Sequence, residues 1–257
     1  MSIYTTLAHR HALAIIALVL VFVPLIAACA WGWAARGRRA SAATVVFAAL
    51  VPVALGVAVF VAIATRIAQG TAFSSADQRL LDAVRDGTPA WAARCFAALT
   101  HLGDPWFLTF LCALMCAALL VTRRFGLAVY FAAATGAGGL LDHALKAMMR
   151  RARPTGSTVP LPDSFAFPSG HTFGSMVCYG MCAYMLLRFA PTRRDPLIVA
   201  LACFIVLAIG TSRVVIGVHF PGDVIGGFAS GGAWLAACIG VAEFARRRAR
   251  AGLSPSK

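Results

Sequence analysis

The chain has 257 residues, 60% of them hydrophobic and only 12% charged, with a mean hydropathy of +0.81. Soluble domains carry about 25% charged residues, so this composition excludes an ordinary soluble domain and places the chain in a bilayer. The net charge of +14, from 23 basic and 9 acidic residues, would suggest nucleic acid in a soluble protein. Here the basic residues sit in short loops between apolar runs and no basic helix alternates with aromatics, so no nucleic-acid partner is expected.

In chain order, residues 1–11 are a short polar start. An apolar run follows from Ala12 to Ala35, long enough to span, since about 20 residues cross a bilayer core. It contains Ile26-Ala27-Ala28-Cys29, which resembles a bacterial lipoprotein cleavage box, so a cleaved signal is the alternative to a retained helix. A retained helix is preferred, because the run stays apolar to Ala35 and ends at Arg36, Arg38 and Arg39. A second run covers Ser41–Thr65.

Residues 66–104 are mixed. Ser75-Ala-Asp-Gln78 reads as a capping box, and Leu80, Leu81, Val84, Phe96 and Leu99 recur at roughly helical spacing. This predicts one or two amphipathic helices lying at the interface. Further runs at 105–122, 125–145, 172–188, 196–211 and 224–243 bring the number of candidate spans to seven, or six without the first. The fold class expected is all-α, a polytopic helical bundle with an interfacial amphipathic segment. It divides into an N-terminal transmembrane region (1–66), a membrane domain (67–245) and a basic tail (246–257).

The eight cysteines contain no CxxC, and seven lie inside apolar runs. They read as small buried hydrophobes, not as a disulfide framework. The Arg clusters at 36–39, 123–124, 188–194 and 246–250 fall on one side of a seven-span topology, which the positive-inside rule makes cytoplasmic. The polar residues between Lys146 and Asp223 then share the opposite face, with the C-terminus in the cytoplasm.

Those polar residues form three clusters. In the third, His219 and Asp223 are four apart across Pro221 and Gly222. Pro favours a first helical turn, so this is a loop feeding a helix. Asp223 there can accept a hydrogen bond from the imidazole and leave the other ring nitrogen free to attack. An interfacial His beside a helix-capping Asp is the bland alternative, and this pair alone does not decide between them. In the second cluster, Pro168-Ser169-Gly170-His171 also leads into an apolar run. Helix N-termini carry unpaired N–H groups and partial positive charge, and bind phosphate. Gly170 permits close approach, Ser169 adds a hydroxyl, and His171 can give a proton to a departing oxygen. Alone, this reads first as an N-capping Ser in a Pro-Gly turn.

The first cluster supplies charge. Lys146 and Arg153 are seven apart and share a helix face if the helix persists that far, although Pro154 biases Arg153 away from helix. Arg213, beside Ser212, adds a third cation, and Arg binds phosphate oxygens as a fork. Asp142, four before Lys146, is placed to hold that lysine in a structural ion pair. Arg150 and Arg151 read as interfacial anchors, and His143 as structural.

Together, Lys-(six)-Arg-Pro, Pro-Ser-Gly-His and Ser-Arg-(five)-His-(three)-Asp resemble the motifs of the type 2 phosphatidic acid phosphatases, whose superfamily also holds bacterial acid phosphatases and vanadium haloperoxidases. The resemblance covers about 78 residues, Lys146 to Asp223, with every motif position filled. Thr100-His-Leu-Gly-Asp-Pro-Trp106 also looks like the family's segment before its next membrane helix. The resemblance implies a phosphatase with no metal or cofactor. His219 would attack phosphorus and form a phosphohistidine, Asp223 would orient it, and His171 would protonate the leaving oxygen and then activate water. Lys146, Arg153, Ser169, Gly170 and Arg213 would hold the phosphoryl oxygens. Independently, nine acids, no HExxH and no dense Asp/His cluster speak against a two-metal phosphatase.

A site at helix ends meets headgroups at the depth of lipid phosphates. The expected substrate is therefore a lipid phosphomonoester or diphosphate, such as undecaprenyl diphosphate, phosphatidic acid or phosphatidylglycerol phosphate, met at the periplasmic face of a bacterial inner membrane. The alternatives are a lipid phosphotransferase using the same site, a vanadate-loaded haloperoxidase, and a transporter or scaffold that only binds. Oligomeric state is not readable from the sequence.

Overall fold

Residues 16–23, 27, 42–155, 157, 163–189, 191 and 194–252 are described in a computed structural model, and all their regular structure is helical. The helices are α1 (Ala42–Ala68), α2 (Thr71–Asp86), α3 (Ala90–Leu99), a 3-10 turn (Thr100–Gly103), α4 (Pro105–Val121), α5 (Phe125–Met149), α6 (Gly170–Phe189), α7 (Asp195–Val215) and α8 (Pro221–Gly252). Residues 16–23, inside the first apolar run, are helical as well. The rest of that run, apart from residue 27, the lipoprotein-like box with Cys29, and the Arg36–Arg39 loop lie outside the described residues.

The breaks follow local chemistry. Pro105 and Pro221 open α4 and α8, and α7 begins with Asp195-Pro196; a first-turn proline forfeits only an N–H that has no helical partner. Arg123-Arg124 separates α4 from α5. α8 runs on through Arg246 to Arg250 as far as Gly252.

Among the described residues, four helices are long and apolar enough to cross a membrane: Val46–Ala68, Phe125–Met149, Asp195–Val215 and Pro221–Ala249. A fifth span arises if Ala90–Gly103 and Pro105–Val121, bent by 47°, count as one. The remaining sequence-predicted span, α6, fails on hydropathy for a physical reason. It contacts α4, α5, α7 and α8 and buries Thr172, Ser175 and two cysteines along with Phe173, Val177, Met181 and Met185. A helix sheathed by protein has no need to be lipophilic all round. Its apolar residues join Leu119, Phe131 and Cys238 in the main core.

The 66–104 segment forms two helices, as its periodicity suggested. α2 is amphipathic, with Leu81 fully buried and Val84 packed with Val214, Phe220 and Val224. The capping-box reading of Ser75–Gln78 is incorrect. The helix starts at Thr71 after Gly70, whose φ of 104° turns the chain. Ser75 is therefore already inside the helix, and Gln78 Nε2 donates to Asp82 Oδ1 instead.

Candidate active site

The three polar clusters converge at one end of the bundle, where a cavity of about 970 Å³ is lined by Lys146, Arg153, Gly170, His171, Arg213 and His219. Away from these residues the cavity becomes an apolar groove between α4, α5 and α6, walled by Leu108, Cys112, Cys116, Ala132, Gly136 and Val177 among others. Its lining on α4 runs from Pro105 to Cys116, a rise of about 16 Å at 1.5 Å per residue.

Lys146 and Arg153 do not share a helix face. α5 ends at Met149, Arg150 caps it in the left-handed conformation (φ 45°), and the chain continues without regular structure. Lys146 Nζ donates to the Asp142 carboxylate, 2.7 Å from both Oδ1 and Oδ2, and to the Pro168 carbonyl at 2.7 Å. The expected Asp142 pair is thus present. It holds the lysine against the turn that carries Gly170, where an added Cβ would lie 2.9 Å from Lys146 Nζ.

His219 follows α7 in the short loop before α8 and is 1% exposed. Its Nε2 lies 3.1 Å from Arg153 Nη1 and its Nδ1 lies 3.4 Å from Asp223 Oδ2. A guanidinium only donates, so Nε2 accepts and the ring proton sits on Nδ1, facing Asp223. Burial, foremost, and the neighbouring Arg153 and Arg213 push the imidazole down to about 4, against the pull of Asp223. The ring is therefore neutral near pH 7, with its lone pair at the cavity end. Arg153 is braced there by the Ser164 and Val218 carbonyls and by Ser164 Oγ.

Asp223 is fully buried. Oδ2 also accepts the Phe220 N–H at 2.9 Å, and Oδ1 accepts Arg151 Nη1 at 2.7 Å. The reading of Arg151 as an interfacial anchor is incorrect. It is 7% exposed and its second nitrogen reaches Asp77 Oδ2 on α2 at 2.9 Å. Arg151 and Arg153 both reach the His219 loop and the start of α8 while Ala152 between them is exposed, the alternation that residues two apart show in extended chain. That spacing, with Pro154 enforcing extension, is a signal that could have identified Arg151.

Two further residues were missed. Asp104 Oδ1 accepts His171 Nε2 at 2.9 Å, while Oδ2 accepts His101 Nδ1 at 2.8 Å and Trp106 Nε1 at 3.2 Å. It precedes Pro105 like an N-cap, yet makes no side-chain cap bond to α4. Its carboxylate instead fixes His171 Nε2 as the protonated nitrogen, leaving Nδ1 for a ligand. Thr100 Oγ1 accepts Arg213 Nη1 at 2.8 Å. Arg213 Nε is buried without a hydrogen-bond partner among the described residues, an uncompensated donor at the edge of the cavity.

Ser169 does not line the cavity. It is fully buried, its Oγ accepts Thr172 Oγ1 at 3.0 Å, and its N–H donates to the Asp223 carbonyl at 3.0 Å, which ties the His171 turn to the start of α8. His143, read as structural, bonds the Gly139 carbonyl at 3.0 Å through Nδ1. The arrangement offers a neutral nucleophilic nitrogen, a second histidine and three cations around one space. This suits in-line transfer of a dianionic group.

The PAP2 superfamily model matches residues 127–247. Phosphatidylglycerophosphatase B of Bacillus subtilis (strain 168) is 32% identical over 162 residues, 62% of this chain and 80% of that protein. The crystal structure of the first transmembrane PAP2 type phosphatidylglycerolphosphate phosphatase from Bacillus subtilis superposes with a TM-score of 0.69 at 29% identity, covering 74% of this chain and 96% of that one.

Proposed function

Because this chain belongs to the PAP2 superfamily, we propose that it is an integral membrane phosphatase that hydrolyses a lipid phosphomonoester or diphosphate through a phosphohistidine, without a metal. The observation that carries the reading is His219. Its Nε2 lone pair lies at the polar end of an apolar groove, with Arg153 at 3.1 Å and Asp223 behind the ring.

The substrate phosphate takes the place now held by Nε2 on Arg153. Lys146, Arg153, Arg213 and the backbone at Gly170 gather its non-bridging oxygens, with Ser169 supporting the turn. Nε2 attacks phosphorus as the bond to the leaving oxygen breaks; His171, which takes up a proton at Nδ1 when the anionic phosphate binds beside it, gives that proton to the leaving oxygen. Positive charge developing on His219 is balanced by Asp223 through Nδ1. His171 then takes a proton from water, the water oxygen attacks phosphorus, the N–P bond breaks and inorganic phosphate leaves. The groove receives the apolar chain, as expected of a pocket with a few convergent polar groups at one end.

The substrates to try first are phosphatidylglycerol phosphate, after the relative's name, then phosphatidic acid and undecaprenyl diphosphate. The site faces the periplasm of a bacterial inner membrane and the C-terminus lies in the cytoplasm. Phosphate release by detergent-solubilised protein across this lipid panel tests the reading. Wild type releases phosphate from at least one lipid, and His219→Ala lowers that rate by at least about 1,000-fold. Equal release by both proteins overturns the assignment.

A further inference from the structure

The apolar face of α2 carries one acid. Asp77, Leu81 and Val84 occupy one stripe at i, i+4 and i+7, and Asp77 is 6% exposed, next to the fully buried Leu81. Burying a carboxylate is costly unless it is paired, and this one is paired twice. Oδ2 accepts Arg151 Nη2 at 2.9 Å and Oδ1 accepts the Gly222 N–H at 2.9 Å. Burial, the largest influence, raises the Asp77 carboxyl, and the Gly222 N–H and Arg151 act against it.

Both partners lead to Asp223. Gly222 is its chain neighbour, and the other guanidinium nitrogen of Arg151 binds Asp223 Oδ1 at 2.7 Å. Close approach is built in. A Cβ at Gly222 would lie 2.6 Å from Asp77 Oδ2, so only glycine lets the carboxylate sit on that peptide. The guanidinium also lies over the Phe220 ring, 4.2 Å from its centroid. Neither Asp77 nor Arg151 lines the cavity, so neither is a ligand for substrate.

We propose that Asp77 and Arg151 are positioning residues: together they tie helix α2 to the Asp223 carboxylate, and through it set the orientation of the His219 ring. The proposal rests on the reading of His219 as nucleophile with Asp223 as its partner. With Oδ1 held by Arg151 and Oδ2 by the Phe220 N–H, the carboxylate cannot rotate. His219 Nδ1–H then meets a fixed acceptor, and Nε2 a fixed direction of attack. Without Asp77, Arg151 keeps its charge but loses one of its two anchors, and the α8 first turn loses the acceptor for its Gly222 N–H. The substrate's own contacts, to Lys146, Arg153 and Arg213, are untouched. Loss of the tether therefore appears in turnover and not in substrate binding.

The test uses the full-length protein in detergent and the lipid of the panel above that wild type turns over fastest. Asp77→Asn keeps size and one acceptor oxygen, but removes the charge and replaces the second acceptor with an NH2 donor that cannot accept from Arg151 or Gly222. Arg151→Lys keeps the charge but cannot span two carboxylates. His219→Ala is run beside them, and thermal midpoint and elution profile report folding. The expected result is a kcat lowered roughly 10- to 100-fold in both tether variants, as for small misplacements of a reacting group, with KM within about twofold of wild type. A kcat within about twofold of wild type in either folded variant, while His219→Ala is inactive, overturns the tether alone. An equal loss carried by KM also overturns it. If His219→Ala retains wild-type turnover, the phosphohistidine reading fails whatever the tether variants do. Where Asp77→Asn does not fold, the kcat and KM of Arg151→Lys decide. Loss of the fold in both assigns the contact to stability and overturns the positioning role.

Discussion

His219 combines near-complete burial with a place in the cavity lining, and burial sets its acid chemistry. The ring protonates only at about 4 when folded, against an ordinary 6.5. Two expectations follow. The acid limb of kcat/KM assigned to His219 in the free enzyme lies near pH 4, as a pH–rate profile can show. The unfolded chain takes up a proton below 6.5 that the folded ring refuses. Stability conferred by the neutral buried ring is thus complete above 6.5 and drains away as pH falls towards 4, by about 1.4 kcal/mol per unit. Thermal midpoints measured across that range fall less steeply for His219→Gln than for wild type. His171, His219, Lys146, Arg153, Gly170 and Arg213 were legible because their order and spacing lie within one stretch of chain. Arg151, Asp77 and Asp104 were not, since their meaning depends on partners 67 to 74 residues away. Asp77 left one trace, an acid in an otherwise apolar stripe.

At the scale of elements, α1 illustrates what hydropathy conveys and what it omits. Its apolar run predicts a span, and it is one by length and composition. Its partner was not legible, because in lipid the contact between helices is set by small residues and shape, not by hydrophobicity. α1 packs along α8, and a Cβ at Gly56 would fall 2.5 Å from the Ala229 carbonyl and 2.9 Å from Ala233 Cβ. Gly56→Val therefore forces the two helices apart. The expected cost is about 1–3 kcal/mol, seen as a lower thermal midpoint in detergent. Turnover of the folded fraction changes little, because no residue that lines the cavity comes from α1. The α6 sequence misleads in the other direction: its polar and small residues lower its hydropathy because it is the helix the others surround.

Over the whole molecule, charge is divided between two ends. α6 begins at Gly170 and His171 and ends at Phe189, about 28 Å further on. Near that far end Arg188 Nε pairs with Glu243 Oε1 at 3.0 Å, and Tyr184 donates to the same oxygen at 3.0 Å. Arg246 also binds Glu243, so the arginines of this end are partly built into the bundle. The proposed topology can be read with a membrane-impermeant maleimide on intact cells, in a background lacking native cysteines. Arg150→Cys, exposed near the site, is labelled, whereas Arg123→Cys, exposed at the other end, is labelled only after permeabilisation. The reverse pattern inverts the orientation. The apolar groove that leaves the site between α4, α5 and α6 carries a kinetic consequence. A substrate whose chains never leave the bilayer reaches His219 by lateral diffusion, so the quantity that governs its rate is its mole fraction among neighbouring lipids and not its molarity. Diluting it with inert lipid is then equivalent to lowering its concentration, even when the amount per litre is constant.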